Sequence, residues 1–209
     1  MVEETDPLVD RERPLGGARR AHVLEAALIT FARHGYRKTS MEQVARAADI
    51  SRPGLYLLFA SKPDLFRAAV THALETDVDA AERTLADTSR PLRDRLVEAF
   101  DLWTGRYVGP MVSEVPQLIE TRPELLGSIA TDHPRRFLGL VTAALGRDLP
   151  AGREGTTQDV ARTLTSTAGG VKHEVGTRAE FVARMTTAVD LLVSVLEVPT
   201  HRRPSRGRQ

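Results

Sequence analysis

The sequence predicts an all-α protein of about nine helices, in which three N-terminal helices precede a longer helical body. Three observations predict it. Apolar residues recur at three- and four-residue steps along most of the chain. Ser or Thr followed three residues later by Glu, Gln or Asp marks several helix starts. No run combines period-two alternation with β-branched residues and flanking turns, as a strand requires.

Residues 1–17 carry five acidic and two basic side chains with Pro7, Pro14, Gly16 and Gly17, and read as a disordered leader. A first helix is expected over Ala18–His34, with Leu24, Ala27, Leu28 and Phe31 on one stripe. Gly35 stands where a left-handed C-cap belongs. The second helix starts at Thr39 or Ser40, because Thr39 with Glu42 and Ser40 with Gln43 both have capping-box spacing. Met41, Val44, Ala45 and Ala48 form its apolar stripe, and it stops near Ala47. After a turn at Asp49–Ile50, Ser51 caps a third helix with Pro53 in its first turn; Leu55, Leu58 and Phe59 are expected to face inward.

Ser61, with Pro63 and Asp64 behind it, opens a fourth helix that continues through Leu65, Ala69, His72 and Ala73 to about Leu85. Pro91 restarts a helix through Trp103. Further helices are expected near 111–120, 123–145 (interrupted at Pro134), 157–175 and 178–197. The last has a Thr177–Glu180 capping box and a stripe of Phe181, Met185, Ala188, Val189, Leu192 and Leu196. Residues 199–209, with two prolines and four arginines, read as a disordered basic tail.

Composition narrows the function. The 209 residues include no cysteine, which excludes disulfides and thiolate metal sites and fits a reducing cytoplasm. The longest uncharged, mostly apolar run, Phe137–Gly146, is half the ~20 residues a spanning helix needs. The acidic N-terminus lacks the apolar core of a signal peptide, so the reading is cytoplasmic and not membrane-bound. Net charge is only +1, but residues 18–70 hold nine basic against four acidic side chains while residues 71–200 are net acidic. One compact segment is thus suited to a polyanion. The preference for Arg over Lys carries no such weight, since only Lys38, Lys62 and Lys172 are lysine throughout the chain.

Two short helices joined by a tight turn, after a longer helix, are the helix-turn-helix arrangement over residues 40–59. Periodicity leaves two readings open, a DNA-reading unit or a plain helical subdomain. The residues Gly35-Tyr36, Ser40-Met41, Val44, Ile50-Ser51, Pro53, Leu55-Tyr56, Phe59, Ser61-Lys62 and Leu65 resemble the signature of the TetR family. Leu58 departs from the family's usual His, Tyr or Phe, and Asp49 from its common turn Gly.

The resemblance implies a DNA-binding domain over 18–76, a helical effector-binding and dimerisation domain over 77–198, and a transcription regulator, by default a repressor. It implies phosphate contacts from Thr39 or Ser40, Tyr56 and Lys62. It implies base-edge reading by Arg52, with Ser51, Pro53 and Gly54 at the helix start and Leu57 as an apolar base contact. Alternatives stand beside these roles: Ser51 as a cap alone, Lys62 as a solvated residue, Tyr56 packed on the first helix, Arg52 as a phosphate clamp. The resemblance further implies a homodimer through the last two helices, on a near-palindromic operator of double-stranded DNA. Gly169-Gly170 would permit close helix approach there, or a kink.

It also implies a pocket for a small apolar or amphipathic effector, for which Phe100, Trp103, Tyr107, Met111, His133 and Phe137 are the candidates, plain core being the alternative. No Ser-His-Asp, Gly-rich phosphate loop, His-Glu-x-x-His or paired-carboxylate motif is present, so no catalytic residue is assigned. No cofactor is assigned either, and His173-Glu174 lacks partners at metal spacing.

Overall fold

The computed structural model describes residues 9–109, 126–148 and 154–197. Eight α-helices and no strand lie within these residues. They are α1 (Val9–His34), α2 (Met41–Ala47), α3 (Arg52–Leu58), α4 (Lys62–Ala86), α5 (Leu92–Trp103), α6 (Ile129–Asp148), α7 (Glu154–Glu174) and α8 (Arg178–Glu197). A 3-10 turn at Gly105–Tyr107 follows α5. The helix expected near 111–120, Met111, and the tail lie outside the described residues.

Local signals place the helix ends. Gly35 has φ 77°, and its N–H reaches the Phe31 carbonyl to close α1. Ser40 caps α2 by accepting from the Gln43 N–H at 3.2 Å while Gln43 Oε1 accepts from the Ser40 N–H at 2.7 Å. Of the two starts open in the sequence, the structure selects this one. Thr177 and Glu180 make the reciprocal pair at α8. Boundaries differ from expectation at α1 and α6; the helix expected from about 123 begins only at Ile129, after a turn over 126–128. The helix of α1 begins at Val9, inside the stretch read as leader, where Arg11, Glu12, Arg13 and Leu15 are good helix formers. Pro134 lies inside α6 without ending it; it sits near the start, where few intrahelical bonds precede it.

The chain divides into two compact units, one holding residues 1–79 with 109–134 and the other 80–108 with 135–209. The first unit thus runs into α4, and a later segment returns to it. Buried Leu126, with Ile129 and Ala130 packed on the same core, is the apolar reason for that return. The core of this unit joins Val23, Leu24, Ala27 and Phe31 of α1 to Met41, Val44 and Ala45 of α2, Leu55 of α3, and Leu65, Phe66 and Ala69 of α4. Each large side chain so buried contributes roughly 1.5–3 kcal/mol of transfer free energy.

In the second unit Phe100 and Phe137 are fully buried edge to face, centroids 5.2 Å apart, and Trp103 stacks on Phe137 at 5.0 Å. Phe181, Met185 and Val189 of α8 are fully buried in this same unit. The apolar stripe of α8 is thus buried inside the subunit, because α5 and α7 both pack against α8. Surface ion pairs fix the register: Arg178 grips Asp101 with two bonds of 2.7 Å, and Arg93 binds Asp190 at 2.5 and 3.1 Å. The hydrogen bond from Arg93 holds the Asp190 carboxyl below the usual carboxylate range.

Candidate nucleic-acid interface

The three N-terminal helices present α3 on a short, tightly held turn. The N–H of Ile50 bonds the Ala45 carbonyl at 3.0 Å and the N–H of Asp49 bonds that of Arg46 at 3.3 Å, the two bonds of a Schellman motif. Asp49 takes the left-handed position with φ 51°. An aspartate tolerates that region better than most residues, so the turn survives without its usual glycine. Ser51 then caps α3, accepting from the Gly54 N–H at 3.1 Å. A Cβ on Gly54 would lie 3.0 Å from Ser51 Oγ, so the small residue leaves the cap undisturbed.

Ser40, Ser51, Arg52, Pro53, Tyr56 and Leu57 are all exposed, with Gly54 half-buried beside them. Leu55 faces the core between them. The Arg52 guanidinium stands 5.8 Å from the centre of the Tyr56 ring, one turn on, a cation–π contact that limits its freedom. Arg37 and Lys38, exposed in the loop ahead of α2, extend the basic surface. They escaped the residue assignments above because a charge in a loop carries no periodic signal; the basic excess of 18–70 was the available hint.

Three residues are placed otherwise than expected. Thr39 is only 2% exposed, and its hydroxyl donates to the Gly35 carbonyl at 2.8 Å, so it is not presented to a phosphate. Lys62 donates to the carbonyls of Tyr36 and Thr39 at 3.0 Å and of Arg37 at 3.4 Å, and its ammonium sits 4.7 Å from the Tyr36 ring centre. In this arrangement Lys62 secures the loop that leads into α2. Tyr36 in turn packs with Phe31 and Phe66, centroids 5.7 and 4.9 Å away. Leu58 is 40% exposed where it was expected to face inward. The helix ends there, and the extended backbone of Phe59 turns that ring into the core instead.

Of the candidates for an effector pocket, Phe100, Trp103, Tyr107 and Phe137 lie in the second unit, His133 lies in the first, and Met111 lies outside the described residues. Phe100, Trp103 and Phe137 stack on one another as core. Tyr107 is half-buried in the 3-10 turn, and His133 belongs to the first unit with its Nδ1 3.3 Å from the Ile129 carbonyl. Glu174 of the His173-Glu174 pair is held by Arg184 at 2.6 Å. Among the described residues no helix is long and apolar enough to cross a membrane.

Comparison with known proteins adds a family match for part of the chain. Residues 23–69 match the family model described as bacterial regulatory proteins, tetR family. The chain is 31% identical over 125 residues to the uncharacterized HTH-type transcriptional regulator YfiR of Bacillus subtilis, covering 60% of this chain and 51% of the relative. It is 34% identical over 102 residues to the HTH-type transcriptional activator FasR of Mycolicibacterium smegmatis, covering 43% and 46%. The chain thus spans about half the length of the curated relatives it matches. In fold it is similar to reduced Escherichia coli NemR, with a TM-score of 0.66 at 16% identity over 88% of this chain and all of that one. It is likewise similar to the TetR-family regulator PfmR of Thermus thermophilus, with a TM-score of 0.58 at 24% identity over 82% and 97%. The part of the chain that matches the tetR family of bacterial regulatory proteins, residues 23–69, is thus the part that builds the capped helix α3 on its Schellman turn, from α1 into α4.

Proposed function

We propose that the chain is a homodimeric transcription regulator that binds a near-palindromic DNA operator through α3 and, as a repressor, is released by a small-molecule effector. The observation that carries the DNA reading is α3 itself, capped, held by a two-bond turn, and exposing Arg52, Pro53, Tyr56 and Leu57 from the net basic segment 18–70. Ser40, at the N-terminus of α2, retains a hydroxyl proton to donate to a phosphate oxygen, and Tyr56 offers a second donor. Arg52 reads guanine through O6 and N7. In vitro selection from a random duplex pool tests the reading: recovery of a palindrome supports it, and recovery of no preferred sequence overturns it. Arg52→Ala should then cost roughly 1–3 kcal/mol on the selected site and relax preference at one position, whereas an even loss on all sequences would make Arg52 a phosphate clamp.

The dimer uses the outer face of the last two helices. Ala183, Thr187, Leu191 and Ser194 share an exposed stripe of α8, and Thr163, Ser166 and Gly170 one of α7. Nothing lies within 4 Å of a Cβ built on Gly169 or Gly170, so another helix has room to approach. Leu191 is 65% exposed, and Leu191→Asp should lower the sedimenting mass to that of a monomer. The effector acts by population shift, favouring a dimer whose reading helices have the wrong separation. The helix α4, which contributes residues to both units, supplies the covalent route. A screen of apolar and amphipathic compounds for loss of operator affinity tests this part. Activation is the second reading, favoured by the relative named an activator; transcription in vitro from a template bearing the operator separates the two.

A further inference from the structure

The side chains of α3 are unusual for a surface that is to read hydrogen-bonding base edges. Its sequence, RPGLYLL, offers side-chain donors or acceptors only at Arg52 and Tyr56. Leu55 defines the buried side. At about 100° per residue, Pro53 and Leu57 lie farthest round the helix from Leu55, each about 160° away on either side. Arg52 and Tyr56 flank that central stripe on one side, Gly54 and Leu58 on the other. Leu57 is 89% exposed, and Tyr56, Leu57 and Leu58 are three consecutive members of a set of only five large hydrophobic side chains exposed among the described residues. Clustered exposure of this kind marks a contact surface.

We infer that the Pro53–Leu57 stripe, with Leu58 at its edge, reads the C5-methyl groups of thymines, so that methyl recognition sets much of the operator sequence. This rests on the reading that α3 enters the major groove. The thymine methyl is the apolar feature that a base pair presents there, beside its donors and acceptors. A stripe with no polar atom selects it: laid over cytosine, the leucine would cover the N4 amino group without accepting its hydrogen bond, whereas over thymine it meets carbon. The net positive charge of residues 18–70 favours DNA over a second copy of this surface, which would bring two basic segments together. Arg52, off the centre line and beside the Tyr56 ring, adds one guanine at the margin.

The test uses the full chain and a duplex selected from a random pool, with each thymine of one half-site replaced singly by deoxyuridine. That exchange removes the methyl and keeps the pairing. At one or two thymines the wild-type Kd should rise about four-fold, the effect of one methyl-sized apolar contact. Leu57→Ala should abolish the difference between thymine and uracil at those positions while leaving the melting temperature unchanged, since Leu57 is exposed. Wild-type affinity that is indifferent to every deoxyuridine overturns the inference, as does Leu57→Ala that stays equally sensitive. Leu57→Ala that lowers the sedimenting mass without changing operator affinity assigns the stripe to self-association and also overturns it. Failure of the underlying reading looks different: no preferred duplex is recovered, and no substitution in α3 changes binding.

Discussion

Removing the ammonium of Lys62 separates two roles that its position alone would confuse. Lys62→Met keeps the aliphatic stem and deletes three hydrogen bonds to the carbonyls of Tyr36, Arg37 and Thr39, together with the contact to the Tyr36 ring. A hydrogen bond to a charged group contributes about 1.5–3 kcal/mol. Lys62 is only half-buried, and carbonyls of a surface loop regain water once the ammonium is gone. The net loss should therefore be about 1–2 kcal/mol, well under the sum of three bonds. For a chain of this size that lowers Tm by about 3–6 °C. The companion measurement is the salt dependence of operator affinity. A phosphate contact contributes about 0.9 to the slope of log K against log salt, and Lys62→Met should leave that slope unchanged. Affinity itself should fall only modestly, through loosening of the loop ahead of α2. A slope reduced by about one with Tm unaltered would refute the assignment and return Lys62 to the DNA backbone.

Three further outcomes follow from the packing. Asp49→Gly should stabilise the first unit by about 0.5–1 kcal/mol, since φ 51° is strained for any side chain; a higher urea midpoint at unchanged m-value is the check. Gly105→Ala would place a Cβ 2.3 Å from Asp101 Oδ1 and 2.8 Å from Phe181 Cδ1, so displacing the Phe181 ring should cost about 1–3 kcal/mol, and a Tm equal to wild type would contradict the packing. Arg95→Met should be the most damaging of these substitutions, at about 3–5 kcal/mol by denaturant titration. Arg95 is 1% exposed, donates to the carbonyls of Leu85 and Arg90, and is paired with Asp148; a loss below 1 kcal/mol would show that these groups find other partners.

What the sequence by itself determined was local. The caps at Ser40, Ser51 and Thr177, the left-handed residues Gly35 and Asp49, and the apolar stripes of α1 and α2 all act between residues a few positions apart, so their spacing in the chain is their geometry. The exposure of Ser51, Arg52, Pro53, Tyr56 and Leu57 was legible for the same reason, being set by the cap and by Leu55. Tertiary structure decided where a side chain's partner is remote. Lys62 meets carbonyls 23 to 26 positions away and Arg95 meets a carboxylate 53 away; a charge in sequence does not say which opposite pole will be brought to it. The same holds for apolar residues. Phe181, Met185 and Val189 advertise a face to be buried without saying against what, and the packing of α5 and α7 consumed it within the subunit. Leu58 shows the converse: its spacing fitted the core, but α3 ended there and the extended Phe59 took the place, leaving an exposed leucine on α3.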